Sequence, residues 1–559
     1  MIGSKLSEVY RDIISVALGN EKADLLIENC NIVDVVTGEI FEGSIAIKHD
    51  RIALVGEKAQ AKSVFDAGGM YAVPGYIDAH AHPDYYLTLT EFSNIAVNHG
   101  TTSVFAEPDA ALNSMGKRGF ELFVRWAEEC SIRVYMLLPF ISPQDLSLET
   151  PNFEIDYGEL EKIAGNEILG MGEAVAWNAI LNGEEWAHNK IEFFLKGGRK
   201  ILGHTAGMRR NKLQAYSVFS NSCHEAITQE QLLERLRYGM HVMVREGSIR
   251  SDIEILKDLD EKVDRSWISI VSDGMEPVEL QKGYMDMPAR KAVEMGMDEI
   301  DALRMITWNP ARFYGRDTEI GILAPGRYAD IVLLKNLREF RPEVVFAGGK
   351  IPEKRRTSGE RFSVMNVEKV DRKEIEIPEG THRVRAMELL SETVNRMKII
   401  GIEAENGKLA EHSKTVLVDR FHGSKPVIGI LSDLEFEGAV ASTVTFDEYN
   451  IVAVGMDDGE IVEVINRLIR TGGGIVYQGR KNIELSLPYG GVMGDDAGEI
   501  ADKMEKLRET LRDAGLRFEN PLNVLHFMSF VTLPELKLSN KGLVDVKKRR
   551  IVELFVERC

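Results

Sequence analysis

The chain has little cysteine. Four stand among 559 residues, Cys30, Cys130, Cys223 and Cys559, far apart and in no CxxC pair. That excludes a disulfide framework as the source of stability and fits a reducing compartment. No run reaches 18 apolar residues, so no transmembrane helix is expected. The first residues, "MIGSKLSEVYRDIISVALGN", lack a long apolar core and a cleavage site. They read as a short amphipathic helix and not a signal peptide, and a cytoplasmic protein is expected. Positive charge is scarce too: 68 Lys and Arg against 88 Asp and Glu give a net charge of −20. Such an acidic chain is a poor partner for nucleic acid, and neither nucleic acid nor membrane is an expected partner. No internal repeat or low-complexity segment is present. "TGGGIV" lacks the lysine that a phosphate loop needs and reads as a helix end.

What is there is enough apolar sequence, 44% of the residues, for about three domains or for one large barrel with satellites. Residues 23–73 read as short strands: "ADLLIENCNIVDV", "GSIAIKHDRIALVG" and "MYAVPG" are rich in β-branched residues and broken by turn signals. A similar texture returns at "EIGILAPGRYADIVLLKN" and "PEVVFAGGKI". A small β-domain split by an insertion would look like this. The insertion alternates apolar runs with helical patterns, as in "TSVFA", "RVYMLLPF", "EILGMGEA", "KILGHTAG", "HVMVREGS" and "WISIVSDG". This is the pattern of βα units with a parallel sheet, and their number fits a (β/α)8 TIM-like barrel with its chemistry at the C-terminal strand ends. Beyond about residue 360 an α+β domain is expected, with an amphipathic helix through Ile461, Val462, Ile465, Leu468 and Ile469 that stops at Gly472. The expected boundaries are 1–74 for the N-terminal helix and first part of a β-sandwich, 75–312 for the barrel, 313–355 for the second part of the sandwich and 356–559 for the C-terminal domain.

Chemistry concentrates at the strand ends. In "PGYIDAHAHPDYY", His80 and His82 stand at i and i+2 and so share a strand face, where two imidazoles can grip one divalent cation. Each later strand-like run ends in a suitable group: Glu173, His204, His224 with Glu225 beside it, and Asp273. Each alone has an ordinary reading, as a helix-start carboxylate, a core histidine or a turn aspartate, with Thr228 the better N-cap of the helix after Glu225. Together, in this order, they supply the ligands of a two-metal centre. Its water would be driven toward hydroxide, and Asp273 would pass the proton on.

These motifs resemble the amidohydrolase superfamily and, within it, the adenine deaminase family, of which the chain reads as a divergent member. "PGYIDAHAH", "HGTTSVFAEP", "GMGE", "GHTAG", "HEAIT" and "NPARFYG" carry the likeness in the first part. "FHGSKPVIGI", "NRLIRTGGGIV" and "LPELKLSNKGLVDV" carry it in the second. The resemblance implies hydrolytic deamination of adenine to hypoxanthine and ammonia by metal-bound hydroxide, a purine-salvage reaction on a small nucleobase. It implies a binuclear centre of Mn²⁺, Fe²⁺ or Zn²⁺ held by His80, His82, Glu173, His204, His224 and Asp273. Asp273 and Glu225 would be catalytic, with Glu225 helping to bind or protonate the purine. A homo-oligomer is expected; the C-terminal amphipathic helices read equally as its interface or as a core face.

The sequence departs from the family near the proposed site. Pro83-Asp84-Tyr85-Tyr86 replaces an Ile-Glu-Ser-Ser. Asp109 in "EPDA" stands where a histidine is usual. "TAGMRRN" brings Arg209 and Arg210, and Asp273-Gly274 replaces a double aspartate. Phe446 and Tyr449 in "TFDEYN" replace two histidines. Asp84, Asp109, Arg209 and Arg210 are therefore expected to bind substrate. The two arginines would suit a carboxylate or phosphate, which leaves open another aminopurine, a cyclic amide or a non-catalytic paralogue.

Overall fold

The computed structural model describes residues 6–140, 143–165 and 168–556. After an amphipathic helix, Leu6–Ala17, the chain builds a seven-stranded sheet. Its two sequence halves meet: Ile331–Leu334 runs antiparallel to Tyr71–Pro74, with Ile331 opposite Pro74 and Leu334 opposite Tyr71. Ile27, Ile45, Ile47, Leu333 and Phe346 fill one core there. The strand Tyr71–Pro74 thus finds its antiparallel partner some 260 residues further on.

Between the halves lie eight parallel strands in two arcs. Five pair in sequence order: Tyr76–Ala81, Thr101–Ala106, Arg133–Leu138, Ile168–Glu173 and Lys200–Leu202. Three more pair as Ser222–Cys223, His241–Arg245 and Ile268–Val271. The first strand is buried along its whole length, as a strand covered on both faces must be. Continuous pairing stops at each seam between the arcs. At one, the strands are only three and two residues long, and Asn221 stands in for them. Its side chain accepts from the Ile201 amide at 2.9 Å, and its carbonyl accepts from His241 at 2.9 Å. At the other, the Asp273 amide donates to the His80 carbonyl at 3.2 Å.

The C-terminal part is a nine-stranded mixed sheet with the helix Asp458–Thr471 laid on it. Asp457 caps that helix at its start, and Gly472, at φ 82°, ends it in the left-handed conformation that favours glycine. Ile461, Val464, Ile465 and Leu468 face Val416 and Ala453 of the sheet. Val462 and Ile469 lie only partly buried at the edge of that contact. The C-terminal part docks on the parallel strands through a short ladder, Met493–Gly494 beside Tyr86–Leu87. Among the described residues, no helix is long and apolar enough to cross a membrane.

Candidate metal centre

The ends of three other strands, carrying His80 and His82, His204, and His224, converge on the side chain of Glu173, which closes the strand Ile168–Glu173. Its two oxygens divide four histidines between them. Oε1 faces His82 Nε2 at 2.9 Å and His80 Nε2 at 3.4 Å. Oε2 faces His204 Nδ1 at 2.5 Å and His224 Nε2 at 3.3 Å. Asp273 Oδ1 stands 3.0 Å from His80 and 3.9 Å from His224. The rings of His80 and His224 stack at 4.7 Å. The alternation of a strand puts His80 and His82 on one side. The register of parallel neighbours brings the later strand ends level with them.

The geometry suits cations better than it suits the bare side chains. His80 Nδ1 is buried without a hydrogen-bond partner. Ligand atoms of His80, Glu173, His224 and Asp273 all lie within 4.8 Å of one another, as do those of His80, His82, Glu107 and Glu173, and those of His204, His224 and Glu225. Nitrogen and carboxylate donors in this number fit a divalent transition ion. Burial opposes ionisation of Glu173, but the surrounding histidines, His224 foremost, hold it well below the usual carboxylate range. Burial likewise opposes ionisation of Asp273, and His224 and His80 carry it down to about 2.

Residues around this set fix it in place. Asp109 Oδ2 sits 2.7 Å from His82 Nδ1, so that imidazole directs Nε2 inward. Glu107, buried, accepts from the Glu173 amide at 3.0 Å. Gly172 makes room for it, because a Cβ there would overlap the Glu107 carboxylate. Arg245 clamps Glu225, with Nη1 2.5 Å from Oε1, and also reaches Asp273 Oδ2 at 3.3 Å and Asp252 at 3.1 Å. Burial would neutralise Glu225, yet Arg245 and His204 hold it well below the usual range.

A cavity of about 180 Å³ opens on this set. Asp84 lines it; its Oδ2 accepts from the Ala111 amide at 2.8 Å, and burial pushes its pKa up to about 7. The cavity also holds Asp109. Arg209 and Arg210 do not reach it. Arg209 is spent on Glu234 and Glu230, each at 2.5 Å, and Arg210 gives only its backbone amide to Glu234. Two acids on the following helix neutralise the charge that the sequence offered to a substrate. The arginines at the cavity are Arg245 and Arg250.

Sequence reasoning did not assign Glu107, Arg245 or Asp447. Glu107 and Arg245 each stand at a strand end, and that position was the available signal. Asp447 comes from the C-terminal part, which closes the cavity with Phe446, Tyr449, Phe527 and Phe530.

Comparison with known proteins agrees with this geometry. Residues 71–351 match the Amidohydrolase family, and residues 392–550 match the Adenine deaminase C-terminal domain. The chain is 36% identical to an adenine deaminase of Archaeoglobus fulgidus, over 98% of each protein. It is 33% identical to one from Cenarchaeum symbiosum, over 98% of this chain and 96% of that protein. A crystal structure of an adenine deaminase aligns more distantly, with TM-score 0.45 and 18% identity over 59% of this chain and 100% of that one. The chain belongs to the adenine deaminase family of amidohydrolases.

Proposed function

We propose that this protein hydrolyses adenine to hypoxanthine and ammonia at a binuclear divalent-metal centre. One observation carries the reading: Glu173 turns each of its two oxygens to a separate pair of histidines. His80, His82, Glu173, His204, His224 and Asp273 would hold the divalent cations, with Glu173 facing both pairs of histidines. Manganese, iron and zinc all suit such donors. The eight parallel strands, bridged at both seams, are read as one (β/α)8 barrel over residues 75–312. The split sheet is read as a small β-domain, 1–74 with 313–355, and residues 356–559 as the C-terminal domain.

A divalent metal here supplies Lewis-acid activation of water at neutral pH. The chain's own residues do the rest. Asp273 has one oxygen toward His80 and the other toward Arg245. Kept ionised, it accepts a proton from the attacking water and returns it to the departing amino group. The water oxygen bonds to C6 of the purine, the C6–N bond breaks, and ammonia leaves. Glu225, fixed by Arg245, accepts a hydrogen bond from the purine. Asp109 holds the His82 ring, and the aromatic wall from the C-terminal part excludes bulk water. Arg209 is paired with Glu230 and Glu234 away from the cavity, and of the two arginines that line the cavity Arg245 is held by Glu225 and Arg250 by Asp252, so none is left unpaired for a carboxylate or phosphate on the substrate.

Ammonia release from adenine by the Mn²⁺-loaded protein, with metal content measured alongside, tests this reading. Activity with a binuclear stoichiometry supports it, with both lost in Glu173→Ala. A metal-replete protein inert on adenine refutes the substrate. A wild type that binds no metal refutes the centre.

A further inference from the structure

We propose that Asp447 accepts a hydrogen bond from the imidazole-ring N–H of the purine and so selects the free base over an N9-substituted one. The inference rests on the adenine reading above and adds a specificity residue from the C-terminal part of the chain.

Asp447 is the one carboxylate that the C-terminal part contributes to the cavity lining. Its orientation is built. Gln144 Nε2 donates to Asp447 Oδ2 at 2.8 Å, and Gln144 Oε1 in turn accepts from Thr532 Oγ1 at 2.9 Å. Gln144 is buried, so its amide is held with its donor end on Asp447. The other carboxylate oxygen, Oδ1, has no hydrogen-bond partner among the described residues, and Asp447 stays partly exposed while Phe446 and Tyr449 on either side of it are buried. A carboxylate oxygen left without a partner beside these aromatic rings calls for a donor on a flat ligand, because a polar group desolvated without a partner is costly.

Adenine has two donors, the exocyclic amine and one imidazole N–H. The amine is the group that leaves, so it belongs at the histidine cluster. The imidazole N–H is left for another part of the lining, and the C-terminal part supplies Asp447 there. A nucleoside has no such N–H, and its sugar would occupy the same space.

The test is steady-state kinetics of the full-length, Mn²⁺-loaded protein on adenine and on 9-methyladenine, which has no imidazole N–H. Asp447→Asn is the variant of choice. Gln144 would still donate to the amide oxygen, so the NH₂ would face the cavity and replace an acceptor by a donor without changing the volume. Wild type is expected to prefer adenine by on the order of 100-fold or more in kcat/KM. In Asp447→Asn the KM for adenine should rise on the order of 10–100-fold, while 9-methyladenine should be little affected, so the preference collapses. Equal losses on both compounds, or an unchanged preference, would overturn the assignment. If wild type releases no ammonia from adenine, the deaminase reading fails on its own. The same comparison made by calorimetric binding of the two compounds then decides Asp447 separately.

Discussion

The Tyr85 ring packs against the Phe446 ring with centroids 5.1 Å apart and planes at 54°. These residues belong to two of the segments in which the sequence departs from its family. Each departure taken alone reads as loop drift, but in space they are one contact. Phe446 also meets His526 at 5.4 Å and Phe527 at 5.2 Å, and the Tyr86 hydroxyl lies 2.6 Å from His526 Nε2. Together these side chains form a shared aromatic seam between the strand-end loop and the C-terminal part.

A seam of this kind should show coupling. Phe446→Ala removes a buried ring from four aromatic neighbours, Tyr85, Tyr449, His526 and Phe527, and a loss of about 3–5 kcal/mol of stability is expected. In a double-mutant cycle with Tyr85→Ala, the coupling should be about 0.5–1.5 kcal/mol, read from denaturant unfolding. Strict additivity would mean that the two rings do no more than share a cavity.

Behind Tyr85 lies a buried ion pair. The Tyr85 hydroxyl donates to Glu276 Oε1 at 2.9 Å, and Glu276, with a wholly buried side chain, pairs with Arg508. Arg508→Ala would leave that carboxylate uncompensated, and a cost of roughly 3–5 kcal/mol is expected. Arg508→Ala combined with Glu276→Gln should recover part of the loss. Denaturant midpoints of the single and double variants check this, and no recovery would place the effect elsewhere.

Local sequence carries only part of this molecule. His80 and His82 are legible because strand alternation is a local rule, and Glu173, His204, His224 and Asp273 because each ends an apolar run. The family likeness supplied their common purpose. Glu107 is hidden because its partner is a backbone amide 66 residues away, reached only through the space Gly172 leaves. Arg209 misleads because a charge says nothing of where it points, and its acids lie 21 and 25 residues further on. Tyr86 and His526 are 440 residues apart, and no local pattern joins them. The eight parallel strands are legible as a count, but the seam at Asn221 is a side-chain device that periodicity does not register.

The reassignment of Arg209 has a kinetic consequence. If its charge is consumed by Glu230 and Glu234, Arg209→Ala should change kcat/KM for adenine by no more than about two-fold, since exposed pairs contribute little. A tenfold or greater rise in KM, measured with the metal-loaded protein, would return the residue to the substrate site.

Two histidines away from the metal cluster set an acid limit on stability. Burial holds His241, whose Nε2 is 2.8 Å from Ser269 Oγ, neutral down to about 3. Burial, with Arg508 nearby, does the same for His526, also to about 3. Unfolded, each titrates near 6.5. The unfolded state therefore binds more protons wherever the pH lies between the two values, and stability falls as pH drops through about 6.5 toward 3. Above about pH 7.5 neither contributes any pH dependence. At about pH 5.5 each should cost roughly 1.4 kcal/mol. His241→Asn can keep a hydrogen bond to Ser269 but cannot titrate, so its stability should fall less steeply with acid, by close to one proton in the slope. Urea unfolding of wild type and variant between about pH 5 and 8 measures this. Parallel slopes would show that His241 titrates normally in the folded protein.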